Sequence, residues 1–181
     1  MKSRFIISAV GPNTTGIVAR IARELNSCGC NLEDSSMTVL GDHFSLMILV
    51  TGEGDHLFDD LESSCERLRE KGDFSVALFP LGTPEEDIPG RLPSVPNYEL
   101  RVKGVDRMGI VYRTSQLLAS RNINIIDMKT SIDPSPEDGT PIFTMKTMIS
   151  VPGDVDREML RKDLESLAED LHDVISLTRL S

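Results

Sequence analysis

The chain repeats itself, and that repeat limits the fold more than any other feature. Residues 11–34, GPNTTGIVARIARELNSCGCNLED, align without a gap on residues 104–127, GVDRMGIVYRTSQLLASRNINIID, with nine identities in 24 positions. The shared residues are Gly11/Gly104, Gly16/Gly109, Ile17/Ile110, Val18/Val111, Arg20/Arg113, Leu25/Leu118, Ser27/Ser120, Asn31/Asn124 and Asp34/Asp127. A six-residue insertion then brings Phe44 onto Phe143, Gly54 onto Gly153 and Asp55 onto Asp154. The 181 residues therefore divide into two copies of one unit, 1–80 and 97–181, joined by 81–96. That joining stretch, LGTPEEDIPGRLPSVP, has four prolines, two glycines and no apolar periodicity, as a linker should.

Each copy is expected to run strand, helix, strand, strand, helix, strand. In the first, 4–10 is β-rich and stops at Gly11-Pro12, and 16–28 sets Ile17, Val18, Ile21, Ala22 and Leu25 on one helical face. Gly29 suits the left-handed position after that helix. Apolar runs at 37–40 and 44–50 meet through Gly41-Asp42, a hairpin signal. A second helix is expected from Asp55 as N-cap, with Phe58, Leu61, Cys65 and Leu68 as its buried stripe and Gly72 at its end. Residues 74–79 form the last strand. The second copy is expected to place elements at 98–103, 109–121, 123–132, 141–151, 154–170 and 174–179, with Leu160, Leu164, Leu167 and Leu171 on the final helix. Met128, Thr130 and Ile132 alternate as a half-buried strand would, and 133–140 is a longer hairpin loop found in this copy alone. The fold class is α+β: two ferredoxin-like βαββαβ domains, antiparallel four-stranded sheets with two helices on one face.

Charge narrows the function. Nineteen Lys and Arg face 29 Asp and Glu, a net charge of −10, and no segment forms a basic arm. Direct nucleic-acid binding needs a basic face and is disfavoured. RNA modules of this architecture stack bases on strand aromatics, but the central strands here offer only Phe5 and Phe44. No stretch approaches the 20 apolar residues of a membrane span, and the N-terminal apolar run is too short for a signal-peptide core. A cytoplasmic protein is expected, without a disulfide framework among Cys28, Cys30 and Cys65.

The chemistry of enzymes and cofactors finds little support. Gly11-x4-Gly16 lacks the Lys and Ser/Thr of a phosphate loop, since Ile17-Val18 stands there, and Ile110-Val111 repeats the failure. No nucleophile elbow is present. Cys28 and Cys30 follow a helix rather than opening one, and His43, His56 and His172 are scattered, so no metal or cofactor is expected. The two thiols are expected to pack as small apolar groups, with a redox role left open. What recurs in both copies is the turn between first strand and first helix. Its free backbone N–H groups can accept a carboxylate. With Arg107 the single cation near either turn in sequence, a phosphate-rich ligand is disfavoured.

The order of elements, the Gly-Ile-Val helix start and the Cys-Asn-Leu or Ile-Asn-Ile opening of the second strand resemble ACT domains, in tandem over nearly the whole chain. Within the first copy, residues 27–52 resemble the glycine cleavage system transcriptional repressor group. The resemblance implies a non-enzymatic regulatory protein and a small ligand, usually an amino acid, held between paired units. The residues implied are Asn13, Thr14, Thr15, Gly16, Ile17, Asn31 and Leu32 in the first copy. In the second they are Asp106, Arg107, Met108, Gly109, Ile110, Asn124 and Ile125. Amides at 13, 31 and 124 both donate and accept, which suits a zwitterion, while Asp106 favours the ammonium group. Where the family often has Asp-Arg-Pro-Gly, this chain has Asn13-Thr14-Thr15-Gly16 and Asp106-Arg107-Met108-Gly109, neither with proline.

The resemblance also implies a homo-oligomer and a protein partner, a transcription activator in the repressor group, so that gene control needs no DNA contact. Two other readings stay open: a ligand-free oligomerisation scaffold, and a stand-alone regulatory subunit of an amino-acid-pathway enzyme.

Overall fold

The computed structural model describes residues 2–81 and 95–180. The chain divides into two compact units, Met1–Ile88 and Pro89–Ser181. Most of the expected linker, residues 82–94, lies outside the described residues.

The first unit runs β1 (Lys2–Pro12), α1 (Ile17–Ser27), β2 (Asn31–Leu40), β3 (His43–Glu53), α2 (Leu57–Lys71) and β4 (Ser75–Leu81). The second runs β5 (Tyr98–Val105), α3 (Ile110–Ser120), β6 (Asn124–Pro134), β7 (Pro141–Ser150), α4 (Arg157–Leu171) and β8 (Val174–Arg179). Both sheets are antiparallel with matching strand orders, β2-β3-β1-β4 and β6-β7-β5-β8. This is the ferredoxin-like arrangement, twice.

Strand alternation decides which face the helices cover. Phe5, Ile7 and Ala9 of β1 and Phe44, Leu46, Ile48 and Val50 of β3 point to α1 and α2, and all are buried. In the second unit Leu100 and Val102 of β5 and Phe143, Met145, Thr147 and Ile149 of β7 do the same.

The boundaries differ from the sequence pattern in instructive ways. β2 begins at Asn31 rather than Met37, because edge pairing with β3 starts at Asn31↔Thr51. The whole of β2 is exposed, since the helices cover the central strands and leave the edge outside. The same holds for most of β6, so Met128 and Ile132 are exposed rather than half-buried. α2 starts at Leu57 after a His56 N-cap that makes no side-chain bond, one position later than an Asp55 cap would give. The buried stripe is accordingly Leu57, Leu61, Cys65 and Leu68, and Phe58 is 46% exposed with its ring centroid 6.2 Å from that of Phe5. α4 is capped by Asp156, whose side chain accepts from the backbone N–H of Glu158 and Met159, so it opens at Arg157 and not at 154. Gly29 has φ +72, as its place after α1 requires.

The two cores are not equal. The first is one continuous cluster running from Phe5 to Val76. The second is two clusters. Thr114 lies one helical turn from Ile110 of one cluster and one turn from Leu118 of the other. Thr147 likewise lies between Met145 and Ile149 on β7. Both threonines are buried, and neither hydroxyl has a hydrogen-bond partner among the described residues. By the alignment of the copies, Ile21 and Ile48 occupy these positions in the first unit.

Candidate functional site

The repeated turn is built alike in both units. Gly16 (φ +84) and Gly109 (φ +94) stand at the N-caps of α1 and α3 in the left-handed region, and neither cap makes a side-chain hydrogen bond. A Cβ on either glycine would meet nothing within 4 Å, so backbone conformation, not packing, calls for glycine there. No side chain caps either helix, and in α1 the first N–H, that of Ile17, donates to the Thr14 carbonyl at 3.3 Å. The turn is anchored by a neighbouring segment, the β2–β3 hairpin in the first unit and the start of β7 in the second. The Asn13 N–H donates to the Asp42 carbonyl at 2.8 Å, and the Asp106 N–H donates to the Pro141 carbonyl at 2.9 Å. Asp42 also pairs with His43 at 2.6 Å, and that hydrogen bond holds its carboxyl below the ordinary range.

The residues singled out in the sequence separate into three groups. Asn13, Thr14, Thr15 and Gly16 gather at the first turn, and Asp106, Arg107, Met108 and Gly109 at the second, all exposed. Ile17 and Ile110 are core residues with only 6% and 2% exposure, so their side chains anchor the helices rather than face a ligand.

Asn31, Leu32, Asn124 and Ile125 lie elsewhere. Pro12, next to the turn, pairs with His43, whereas Asn31 pairs with Thr51, eight residues along the same strand. At about 3.4 Å per residue, Asn13 and Asn31 stand about 27 Å apart, at opposite ends of one sheet. In the second unit Val105 pairs with Ile142 and Asn124 with Ser150, again eight residues along β7. Beside Asn31, Glu33 accepts from Lys2 at 3.0 Å and from Thr51 at 2.9 Å, and these bonds hold its carboxyl low.

The cations at the turns are not those the sequence suggested. Arg107 is tied within its own unit, donating to the Leu171 carbonyl and, at 3.2 Å, to Asp173 Oδ1. At the first turn, by contrast, the end of α2 folds back beside α1. A cavity of about 120 Å³ there is lined by Thr14, Arg20, Lys71, Asp73 and Phe74 among others. Arg20 sits over the Phe74 ring at 5.4 Å. Lys71 lies 57 residues from Thr14 in sequence, and only the antiparallel return of α2 could have revealed the neighbourhood.

Away from the turns, Cys28 Sγ lies 3.0 Å from Ser64 Oγ, and Arg67 reaches Glu24 at 3.2 Å on the same helix pair. Burial pushes Cys30 up and Cys65 up to about 11, so both favour the thiol form. All three cysteines are free, and among the described residues no group of His, Cys, Asp and Glu could hold a metal ion. No helix among them is long and apolar enough to cross a membrane.

Comparison with known proteins fits this geometry. The ACT domain family profile matches residues 3–77. A UPF0237 protein of Streptococcus mutans is 34% identical over 65 residues, which cover 36% of this chain and 74% of that protein. The chain belongs to the ACT-domain family. Its sequence is also similar to the Glycine cleavage system transcriptional repressor of Escherichia coli (strain K12). The identity there is 22% over 167 residues, covering 92% of this chain and 85% of the relative. Among solved structures, the fold of this ACT chain matches an unknown protein from Galdieria sulphuraria with a TM-score of 0.79. That match has 24% identity and spans all of both chains. It also matches a protein described as a candidate glycine cleavage system transcriptional repressor, with a TM-score of 0.71 and 20% identity over 100% of this chain and 99% of that one.

Proposed function

We propose that this ACT-domain chain is a non-enzymatic regulator. It binds an amino acid at a site completed by two ACT units, and it signals through contacts with another protein. The observation that carries the reading is the separation of Asn13 from Asn31. Two amides suited to a zwitterion stand at opposite ends of the first sheet, and Asp106 and Asn124 at opposite ends of the second, so a ligand-sized site using both positions needs a second unit. The turn supplies uncapped helix N–H groups for the carboxylate, with Arg20 and Lys71 nearby in the first unit. The ligand then shifts the pairing of units by binding one arrangement better than the other. Similarity to the Escherichia coli repressor supports a role in transcription of glycine cleavage, and the net charge of −10 favours action through an activator protein in the cytoplasm rather than on DNA.

The test is a thermal-shift and calorimetry panel of the twenty amino acids on wild type and on Asn13→Ala/Asn124→Ala. Saturable binding of one amino acid, weakened at least tenfold in the double variant, is the expected result. Normal binding by the variant removes the site.

The long exposed edges β2 and β6 favour a second reading, a scaffold that assembles by edge pairing without any ligand. β4, shorter and carrying Pro80, is the less suited edge of its sheet. Light scattering with and without amino acids separates the two, because scaffold assembly does not respond.

A further inference from the structure

The longer hairpin loop found only in the second copy has no part in the turns. In the first unit β2 and β3 meet at Gly41-Asp42, with Leu40 paired directly to His43. In the second, residues 135–140 extend beyond the paired Pro134 and Pro141. The extension is held by its own bonds. The Ser135 N–H donates to the Thr140 carbonyl at 2.8 Å, and the Gly139 N–H to the Ser135 carbonyl at 2.9 Å. Thr140 Oγ1 donates to Asp138 Oδ2 at 2.7 Å, and this bond holds the Asp138 carboxyl below its ordinary range. Asp138 is thus committed to the loop, whereas the Glu137 carboxylate makes no bond among the described residues.

Val102, Phe143 and Met145 face the helices and are buried, so Lys103, Ile142 and Thr144 face the other way. The loop returns over that helix-free face. There Pro134, Pro136 and Glu137 join Lys103, Asp133 and Ile142 around a cavity of about 520 Å³, a size usual for small-molecule sites. Arg101 and Lys146 on the same face are both bound by Glu99, but Lys103 makes no ion pair among the described residues. Lys103 of β5 and Asp133 of β6 flank β7. Two strand spacings across and two residues along put their Cα atoms about 12 Å apart. In the first unit, register and alignment place Val10 and Leu40 at these two positions. The charges and the covering loop therefore occur together, in one copy only.

We infer that this cavity binds a basic amino acid, its carboxylate on Lys103 and its terminal cation between Asp133 and Glu137. Three features choose that class. An unpaired ammonium needs an anion, and two carboxylates on the opposite side need a cation. One cation against two carboxylates gives the cavity a net charge of about −1, which complements the +1 of arginine or lysine. The aliphatic stem between the ligand's charged ends lies over Ile142 and the two prolines. The site is complete within one unit and does not rest on the turn site proposed above.

The test is calorimetric titration of the full chain with arginine and lysine. The controls are cadaverine, which lacks the carboxylate, and norleucine, which lacks the terminal amine. Arginine and lysine are expected to bind saturably, one per chain, and both controls at least tenfold more weakly. Lys103→Ala is expected to weaken lysine at least tenfold while leaving cadaverine no weaker. Asp133→Asn/Glu137→Gln is expected to weaken lysine and cadaverine alike. All three residues are exposed, and circular dichroism checks that both variants fold. Wild type that binds neither arginine nor lysine at millimolar concentration overturns the inference, as does binding that both variants leave unchanged. Lysine binding abolished by Asn13→Ala/Asn124→Ala and untouched by these substitutions belongs to the turns and overturns this inference alone.

Discussion

Asp173 fills the space above Gly104: a Cβ on that glycine would lie 1.8 Å from Asp173 Oδ1, and Arg107 closes over the same carboxylate. The first unit makes the identical allowance with other chemistry, since a Cβ on Gly11 would lie 2.2 Å from Phe74 Cβ. The two aligned glycines are thus places where the last strand's leading residue crosses the first strand.

Gly104→Ala is therefore expected to destabilise the second unit by about 3 kcal/mol or more, the scale of forced overpacking. Asp173→Ala alone leaves Arg107 without its carboxylate, at a cost of about 1–3 kcal/mol. The double variant is expected to melt above the value that adding the two losses gives, because the shortened side chain vacates the space the new methyl needs. Thermal denaturation of the four proteins measures the coupling. Strict additivity would show that the two positions do not share that space.

The two unpartnered hydroxyls give a prediction of opposite sign. Thr114→Val and Thr147→Val keep shape and remove a buried polar group that makes no bond among the described residues. Each is expected to raise stability by about 1–2 kcal/mol. Ile21→Thr in the first unit should do the reverse, costing about 2 kcal/mol or more. Urea unfolding curves check all three.

Cys65 ties stability to alkaline pH. Its thiol, fully buried beside α1, is pushed from 9.0 up to about 11 by burial and then by the Glu62 charge. The unfolded chain releases this proton near pH 9 and the folded chain near pH 11. The contribution is whole below pH 9 and is lost as pH rises from 9 to 11. Its size is about 2–3 kcal/mol. Comparing urea midpoints at pH 8 and pH 10.5 for wild type and Cys65→Ala isolates it, and the variant is expected to lose less stability over that interval. Ellman's reagent should label half-exposed Cys28 well before Cys30 and Cys65.

The repeat made most of the fold legible. Nine shared positions located both turns, both first helices and the start of β6, because local chemistry at Gly16, Gly109 and Asn124 repeats with the fold, while β2 was expected only from Met37. Phe58 misled, since a period of 3.6 cannot tell which of two adjacent apolar residues, Leu57 or Phe58, faces inward. Edge position misled for Met128 and Ile132, because alternation marks a buried face only where a helix covers the strand. The candidate site was half legible. Its turn residues were visible, but the approach of Lys71 to Thr14 and the capture of Arg107 by Asp173 arise from how distant segments pack. Likewise Asn13 and Asn31 appear together in sequence space and separate only when β3 runs its full length between them.

Sedimentation velocity with and without the amino acid that the binding panel selects tests the central claim most directly. If the ligand completes a site between two ACT units, saturating amino acid shifts the distribution of assembled species, and Asn13→Ala abolishes the shift at the same concentration. Binding that leaves the distribution unchanged, or the absence of binding by all twenty amino acids, would contradict the account.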